Sequence, residues 1–284
     1  GESNEAINVL TNIYLQWVPR AKIIQTNIWS SELAKLTANA FLAQRISSIN
    51  AIGALCEATG ADVREVSRAI GSDSRIGSKF LDSGPGFGGS CFKKDILNLV
   101  YLCEYFGLDE VAKFWESVVT LNNWHQTRIS KLITKKLFGT ISSKKIIILG
   151  FAFKGNTNDT RESAAIQICR DLINEGAYLF IHDPKVTKDQ IIKDLEVKPL
   201  DQNVEENSFN EKGSWKFITD INESLFNADA IVILTEWDEY KNLDWDLAES
   251  RMRKPSWVFD TRSIIDANSI KKYNFQFWRV GDGS

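Results

Sequence analysis

The sequence predicts an α/β protein in which an all-helical section precedes a parallel β-sheet. Residues 30–138 carry apolar residues at helical spacing in several segments, most of them closed by a glycine. From residue 145 onward, short apolar runs alternate with helical segments, as in KKIIILG at 144–150. Strands that alternate with helices in this way are typical of a parallel sheet.

Length and composition favour a globular protein of about two domains. The chain has 284 residues, of which 43% are hydrophobic and 25% charged, and its net charge is −3. This charge provides no overall basic field for nucleic acid or an anionic membrane. No run reaches the ~18 apolar residues of a membrane span, and the first residues do not resemble a signal peptide. We therefore expect a cytoplasmic protein with a small-molecule partner and with neither nucleic acid nor membrane as a partner.

The cysteine and histidine residues predict neither disulfides nor a metal site. None of the four cysteines forms a C-x-x-C pair, and only His125 and His182 are available as imidazole ligands. Small buried side chains of a reduced protein are the expected role of Cys56, Cys103 and Cys169.

Residues 1–28 resemble the end of a preceding domain. They contain a helical stretch at 4–17 and a strand-like fragment, KIIQT, at 22–26. A doubly wound domain carries a strand, a glycine turn and a helix near its start, and no such unit is present before residue 28. We therefore expect that the chain is truncated.

The helical section is predicted to consist of four helices. The first runs from Ser30 to Glu57 without proline and would span about 40 Å at the usual rise per residue. Three more are expected at 62–70, 91–106 and 109–138, each followed by a glycine.

The sheet is predicted from the apolar runs after residue 144. Strands are expected at 145–149, 178–184, 216–219, 230–237, 257–260 and 274–279, with helices at 162–175 and 221–226. Residues 196–215 are polar and predict a surface loop.

The segment GPGFGGSCFKKD at 84–95 concentrates four glycines before Cys91. Glycines allow a close approach of the main chain to a ligand, and the unpaired N–H groups of a helix start favour a thiolate. Cys91 is therefore a candidate nucleophile. A glycine-rich turn whose cysteine merely packs is the structural alternative.

Two pairs of polar residues, each four positions apart, accompany this segment. Asp95 follows Cys91 by one helical turn and could orient water or accept a proton. Lys35 and Asn39 share one face of the long helix, where they could stabilise an oxyanion. Ordinary solvated helix faces would explain the same patterns.

The loop LGFAFKGNTNDTRES at 149–163 follows the first strand, where doubly wound sheets bind nucleotides. It reads G-x-A-x-K and not G-x-G-x-x-G. Lys154 or Arg161 could hold phosphate or ribose, and Arg262 follows another strand. Arg75 lies in a loop before the cysteine segment. Each of these cations would otherwise be an ordinary surface residue.

Four segments in order resemble the UDP-glucose 6-dehydrogenases of the UDP-glucose/GDP-mannose dehydrogenase family, most closely the animal type. They are WSSELAKLTANAFLAQRISSINAIGALCEATGADV, GFGGSCFKKDILNLVYLCE, ILGFAFKGNTNDTRES and TEWDEYKNLD. The likeness covers essentially the whole chain. It implies a helical dimerisation domain at 29–140 and a Rossmann-like UDP-sugar-binding domain at 141–284. Residues 1–28 would be the C-terminal remnant of the NAD-binding domain.

The resemblance implies oxidation of the C6 alcohol of UDP-glucose to a carboxylate with two NAD⁺ and one water, and it implies that the chain as given is an inactive fragment. Cys91 matches the nucleophile that captures the C6 aldehyde as a thiohemiacetal, which is oxidised to a thioester and then hydrolysed. Lys35 and Asn39 match residues that hold the reacting oxygens, and Asp95 matches the carboxylate near the thiol.

The resemblance also implies contacts to substrate, cofactor and a second subunit. The positions that match NAD contacts are Cys91, Phe92, Lys94 and Arg161. The positions that match substrate contacts are Lys35, Asn39, Arg75, Asp82, Ser83, Gly84, Pro85, Gly86, Phe87, Gly88, Phe153, Lys154 and Arg262. Arg75 matches an arginine lent to the neighbouring subunit, which implies a homodimer through the long helix and allows a larger homo-oligomer.

Two departures and two alternatives accompany the resemblance. Asp82 stands where the animal enzymes carry lysine, and Pro85 lies within the glycine loop, so fine substrate contacts are in question. The chain could instead be a non-catalytic dimerising UDP-binding module. It could also belong to a related dehydrogenase that acts on UDP-N-acetylmannosamine or GDP-mannose.

Overall fold

A computed structural model describes residues 1–200 and 213–283 of the chain. Its first half is helical, as predicted, with helices α1 (Asn4–Tyr14), α2 (Ile28–Thr59), α3 (Val63–Gly71), α4 (Phe92–Tyr105) and α5 (Asp109–Lys136). Helix α2 begins two residues earlier than predicted because Asn27, and not Ser30, caps it. The Asn27 side chain accepts a hydrogen bond of 2.7 Å from the Ser30 N–H.

The fragment KIIQT is not a strand, and that prediction is wrong. Arg20–Lys22 form a short 3-10 turn, and residues 23–27 have no regular structure. A strand needs a neighbour to satisfy its backbone groups, and none of the described strands pairs with this segment.

The second half is a six-stranded parallel sheet in the order β3-β2-β1-β4-β5-β6. The strands are β1 (Lys145–Leu149), β2 (Tyr178–His182), β3 (Ser214–Phe217), β4 (Ala230–Ile233), β5 (Ser256–Asp260) and β6 (Phe275–Arg279). This is the strand order of doubly wound nucleotide-binding sheets, and it confirms the predicted fold class. The order reverses between β1 and β4, so a crevice opens above their carboxyl ends.

The predicted helices around the sheet are present, and three short ones were not predicted. Helices α6 (Ala164–Asn174) and α8 (Ile221–Ser224) correspond to predicted segments. Helices α7 (Lys188–Leu195), α9 (Trp245–Arg251) and α10 (Ala267–Ile270) are additional. Residues 201–212 of the loop predicted at 196–215 lie outside the described residues. The prediction is wrong for Ser214 and Trp215, which begin strand β3 because Trp215 is buried against the sheet.

Helix α5 joins the two halves. Its first part packs on α2 and α4 through Ala112, Trp115 and Val119, whereas Ile129 and Ile133 lie in the core of the sheet half. One continuous helix therefore contributes to both cores. As a result, residues 84–90, the glycine segment that precedes α4, are held directly over the carboxyl edge of the sheet. The domain boundaries at 28/29 and 140/141 stay predictions.

No helix within the described residues is both long and apolar enough to cross a lipid bilayer.

Candidate active site

The glycine segment is anchored from behind by three polar side chains of α2 and α5. Asn50 accepts from the Gly84 N–H at 2.9 Å, and His125 Nε2 lies 2.8 Å from the Gly84 carbonyl. Asn122 accepts from the Phe87 N–H at 2.9 Å and donates to the Phe87 carbonyl at 3.2 Å. Buried main-chain groups are thereby satisfied, and the loop presents its other side to the crevice.

Two loops of the candidate site are joined directly. The Gly89 N–H donates to the carbonyl of Arg161 at 2.8 Å, and the Lys93 ammonium lies 2.8 Å from the Glu162 carboxylate. The glycine segment of the helical half is thereby fixed against the loop that follows β1.

Cys91 stands at the N-cap of α4 and is exposed. Its carbonyl accepts the first hydrogen bond of the helix, from the Asp95 N–H at 2.9 Å, and its Sγ lies 3.5 Å from Ser90 Oγ. The thiol therefore faces solvent at the positive end of a helix, as a nucleophile requires. The other three cysteines are buried.

A cation lies within electrostatic reach of this thiol. The hydrogen bond and the charge of Asp159 raise the pKa of the Arg161 guanidinium, and Cys91 adds a smaller increase. Arg161 is therefore a positive charge in the vicinity of residue 91.

Asp95, Lys35 and Asn39 form one cluster between α2 and α4. Asp95 is only 2% exposed, and one of its side-chain oxygens, Oδ2, accepts hydrogen bonds from both Lys35 Nζ and Asn39 Nδ2. Burial raises the pKa of the Asp95 carboxyl, but the hydrogen bonds from Lys35 and Asn39 and the charges of Lys35 and Lys94 outweigh it. The pKa consequently lies below its ordinary value, and the carboxylate is ionised at neutral pH.

The depressed pKa of Asp95 predicts a stability effect that depends on pH. A carboxyl whose pKa is lower in the folded state stabilises the fold above its unfolded pKa, which is about 3.9. That contribution is lost as the pH falls through the lower folded value. We expect Asp95→Asn to be less stable than the wild type at pH 6, and we expect this gap in the free energy of unfolding to narrow as the pH falls below about 4, as measured by urea unfolding.

Glu104→Gln is the control for this experiment, because it removes an exposed carboxylate from the same helix. The difference in the free energy of unfolding between Glu104→Gln and the wild type should change little over the same pH range. A gap between wild type and Asp95→Asn that stays constant from pH 6 to pH 3 would contradict the ion-paired state of Asp95.

A cleft of about 780 Å³ lies between the glycine segment and the carboxyl edge of the sheet. Ten of the predicted substrate and cofactor residues line it: Asp82, Ser83, Gly84, Gly86, Phe87, Gly88, Phe92, Phe153, Lys154 and Arg262. Pro85, which belongs to the same segment, is buried and does not line the cleft. The cluster of Lys35, Asn39 and Asp95 is not part of the cleft wall, and neither is Cys91, which directly precedes Phe92.

Arg262 is fixed at the sheet side of this cleft. Its guanidinium donates to the carbonyls of Leu234 and Phe153, both at 2.8 Å, and lies 3.2 Å from the Glu236 carboxylate. Burial lowers the pKa of Arg262, while the charges of Glu236 and Asp260 partly offset the effect. This arrangement presents a preorganised cation beside the glycine segment, which suits an anionic ligand.

The glycine at position 88 is required by close contact with the loop after β1. A Cβ atom on Gly88 would lie 2.4 Å from the Glu162 carbonyl oxygen, which belongs to the main chain and cannot rotate away. We expect Gly88→Ala to reduce the free energy of unfolding by about 1–3 kcal/mol, as measured by urea unfolding. Gly84→Ala is the matched control within the same loop, because its Cβ would meet nothing closer than 3.7 Å. Equal stability of the two variants would contradict this packing.

Some predicted residues lie apart from the cleft in this chain. The Arg75 side chain is 87% exposed, pairs with Asp73 and does not line the cleft. Lys94 is exposed on the first turn of α4, and Arg161 pairs with Asp159. Their assignment to a neighbouring subunit or to NAD stays a prediction.

Several residues that shape the site were not predicted from the sequence. Glu236, Asp238 and Lys241 line the cleft, and all three belong to the segment TEWDEYKNLD, which carries part of the family resemblance. Asn122 and His125 lie three positions apart on α5, a spacing that could have indicated a polar face. No local signal distinguishes Asn50 from the other polar residues of α2.

Within residues 1–200 and 213–283 there is no group of three or more histidine, cysteine or acidic side chains that could hold a metal ion.

Comparisons with known proteins agree with this architecture. Two family models match: the central domain of the UDP-glucose/GDP-mannose dehydrogenase family at residues 29–124, and the UDP binding domain of that family at residues 147–267. The archaeal UDP-glucose dehydrogenase of Pyrobaculum islandicum has a similar structure, with a TM-score of 0.78 and 26% identity over 100% of this chain and 57% of the archaeal chain.

Curated relatives are more similar in sequence. UDP-glucose 6-dehydrogenase 1 of Glycine max is 49% identical over 99% of this chain, and UDP-glucose 6-dehydrogenase of Drosophila melanogaster is 50% identical over 99% of it. This chain spans 59% and 58% of their respective lengths. The two matching domain models and these relatives agree that the chain belongs to the UDP-glucose/GDP-mannose dehydrogenase family.

Proposed function

We propose that the protein to which this chain belongs is an NAD-dependent UDP-glucose 6-dehydrogenase and that Cys91 is its nucleophile. One observation carries the proposal most strongly. An exposed thiol at a helix N-terminus follows a glycine-lined cleft, and one turn further along the same helix an ionised Asp95 binds Lys35 and Asn39. The names of the relatives in Glycine max and Drosophila melanogaster support UDP-glucose as the substrate.

The cleft suits a nucleoside diphosphate. Arg262 and Lys154 supply positive charge, and the Phe153 ring lies 5.4 Å from the Lys154 ammonium at the cleft wall. Aromatic and aliphatic side chains such as Phe80 and Ile46 offer a surface for a base. The main chain of Ser83 to Gly88 would pass close to the sugar phosphate, because its glycines leave room for the ligand.

The proposed chemistry takes place at C6 of the sugar and involves the residues around Cys91. Loss of a hydride and a proton from the C6 alcohol first gives the C6 aldehyde. The Cys91 thiolate then adds to this aldehyde, its sulfur bonds to carbon, and the aldehyde oxygen becomes an oxyanion stabilised by Lys35 and Asn39. Loss of a hydride from this thiohemiacetal gives a thioester. Water, oriented by Asp95, then attacks the thioester carbon. Both protons of this water pass to solvent, and the Cys91 thiolate leaves as the carboxylate product is released.

Three cations near Cys91 fit the cofactor NAD. Lys93 and Lys94 lie on the first turn of α4, and Arg161 lies in the loop after β1, where its main-chain carbonyl accepts from the Gly89 N–H. A pyrophosphate anion is favoured by positive side chains at a helix N-terminus. When bound, NAD⁺ accepts the hydride that leaves the sugar C6 atom. The chain's own residues hold C6 and its oxygen in place.

A homodimer is the assembly that the exposed face of α2 supports. Phe41, Ile52 and Leu55 of this helix are exposed apolar residues. A second copy of α2 would bury them, and the exposed Arg75 would then be available to the neighbouring cleft. Location in the cytoplasm stays a prediction from composition.

The full-length protein, incubated with UDP-glucose and NAD⁺, tests the proposed function. We expect two NADH per UDP-glucuronate, because oxidation of an alcohol to a carboxylate removes two hydrides. UDP-N-acetylmannosamine and GDP-mannose serve as competing substrates in the same assay. A higher kcat/KM for either of them than for UDP-glucose would overturn the proposed substrate, and no NADH with any of the three would overturn the proposed activity.

A further inference from the structure

The carbonyl of Gly84 is fixed by a buried histidine that none of the proposed catalytic steps uses. Resting on the proposed function, we propose that His125 is a positioning residue for the nucleotide end of the cleft. It acts through Gly84, whose main chain forms the wall of the cleft beside Arg262.

The contact between His125 and Gly84 determines the tautomer of the imidazole. His125 Nε2 lies 2.8 Å from the Gly84 carbonyl oxygen, which can only accept, so Nε2 carries the hydrogen. Nδ1 then carries a lone pair and no hydrogen, and within the described residues it is buried with no hydrogen-bond partner. His125 is 1% exposed, and burial together with the charge of Arg128 lowers its pKa to about 4. The ring is therefore neutral and keeps this donor at physiological pH.

Both polar main-chain groups of Gly84 are held by side chains from different helices. His125 of α5 donates to its carbonyl, and Asn50 of α2 accepts from its N–H at 2.9 Å. Asn50 also accepts from the Ser83 hydroxyl at 3.0 Å. The peptide planes around Gly84 are thus oriented by two buried groups, and loss of either leaves a main-chain group without its partner.

The position of Gly84 affects Arg262, the buried cation of the cleft. A Cβ atom at Gly84 would lie 3.7 Å from Arg262 Nη1 and 3.7 Å from the Thr261 carbonyl, so the glycine packs directly against the arginine. Displacement of Gly84 therefore changes the room available to Arg262 and to an anionic ligand beside it.

The half of the loop next to Cys91 has its own anchors. Asn122 makes two hydrogen bonds to the main chain of Phe87, and the Gly89 N–H donates to the Arg161 carbonyl. Loss of the His125 donor leaves these contacts intact. We therefore expect weaker substrate binding with little change in the rate of the chemical steps.

Three variants of His125 in the full-length protein separate positioning from packing. Glutamine places its amide nitrogen the same number of bonds from Cα as His125 Nε2, whereas asparagine is one bond too short and leucine has no donor. We expect KM for UDP-glucose to rise about tenfold in His125→Leu and His125→Asn, with kcat changed by no more than about threefold. His125→Gln should restore KM to within about threefold of the wild type.

Ser130→Ala is the control for general destabilisation of α5. It removes a partly buried hydrogen bond to Asp171 that does not touch the glycine segment, and it should leave KM unchanged. If His125→Leu does not fold, the comparison of asparagine with glutamine carries the test. An unchanged KM in His125→Asn, or a KM in His125→Gln as high as in His125→Asn, would overturn the inference. Absence of turnover in the wild type would instead overturn the proposed function.

Discussion

Replacing Cys91 with serine is expected to lower kcat for UDP-glucose oxidation by roughly 10³-fold or more. A hydroxyl ionises far less readily than a thiol, so the aldehyde is captured slowly and the second oxidation has little thiohemiacetal to act on. Steady-state NADH formation in the full-length protein measures the effect. Binding of UDP, measured by calorimetry, should stay within about threefold of the wild type because Arg262 and the glycine segment are unchanged.

Cys103→Ser is the matched control for this substitution. Cys103 lies on the same helix but is buried in the core between α2, α4 and α5. Its replacement should reduce stability and leave kcat within about twofold of the wild type. Undiminished NADH formation by Cys91→Ser would refute the assignment of Cys91 as nucleophile.

Replacing Lys35 with methionine is expected to reduce kcat by about 10²- to 10³-fold, the usual cost of removing a donor to an oxyanion. Methionine keeps an unbranched stem of similar length and loses the ammonium group. The same change leaves the buried Asp95 carboxylate with one fewer partner, so stability should fall as well.

The double variant Lys35→Met with Asp95→Asn separates the two effects. Neutralising residue 95 removes the uncompensated buried charge, so part of the lost stability should return, measured by urea unfolding. The rate should not recover, since the donor to the reacting oxygen is still missing. Recovery of kcat in the double variant would show that Lys35 acts only by neutralising Asp95. Lys131→Ala removes an exposed lysine of α5 and is the control for the loss of a lysine that is not near the reacting oxygen.

The sequence predicted those parts of the fold that depend on local patterns. The helices of residues 28–136 follow from apolar spacing and terminal glycines, and five of the six strands were predicted with their starts within one residue of the observed ones. Strand β4 was predicted too long, because the apolar run at 230–237 continues past its end into the buried Thr235 and Trp237. Residues that are buried after a strand and residues that are buried within it both appear in the sequence as one apolar run, so the run does not show where the strand ends.

The candidate site was predictable where its chemistry is concentrated in short motifs. Cys91, Asp95, Lys35 and Asn39 were identified from spacing and composition, and three of them meet in one cluster. The anchors of the glycine segment could not be predicted, since Asn50 lies 34 positions and His125 lies 41 positions from Gly84. Their roles depend on how α2 and α5 pack, which no local pattern specifies.

The central claim, that the Cys91 sulfur carries the sugar during the second oxidation, is tested most directly by mass spectrometry of acid-quenched enzyme. The full-length protein is mixed with saturating UDP-glucose and NAD⁺, quenched during turnover and digested, with Cys91→Ala treated in parallel. We predict that the peptide containing Cys91 carries the mass of a UDP-glucuronosyl thioester in the wild type and that no peptide carries it in Cys91→Ala. Turnover by the wild type with this peptide unmodified, or with the adduct on another residue, would contradict the account.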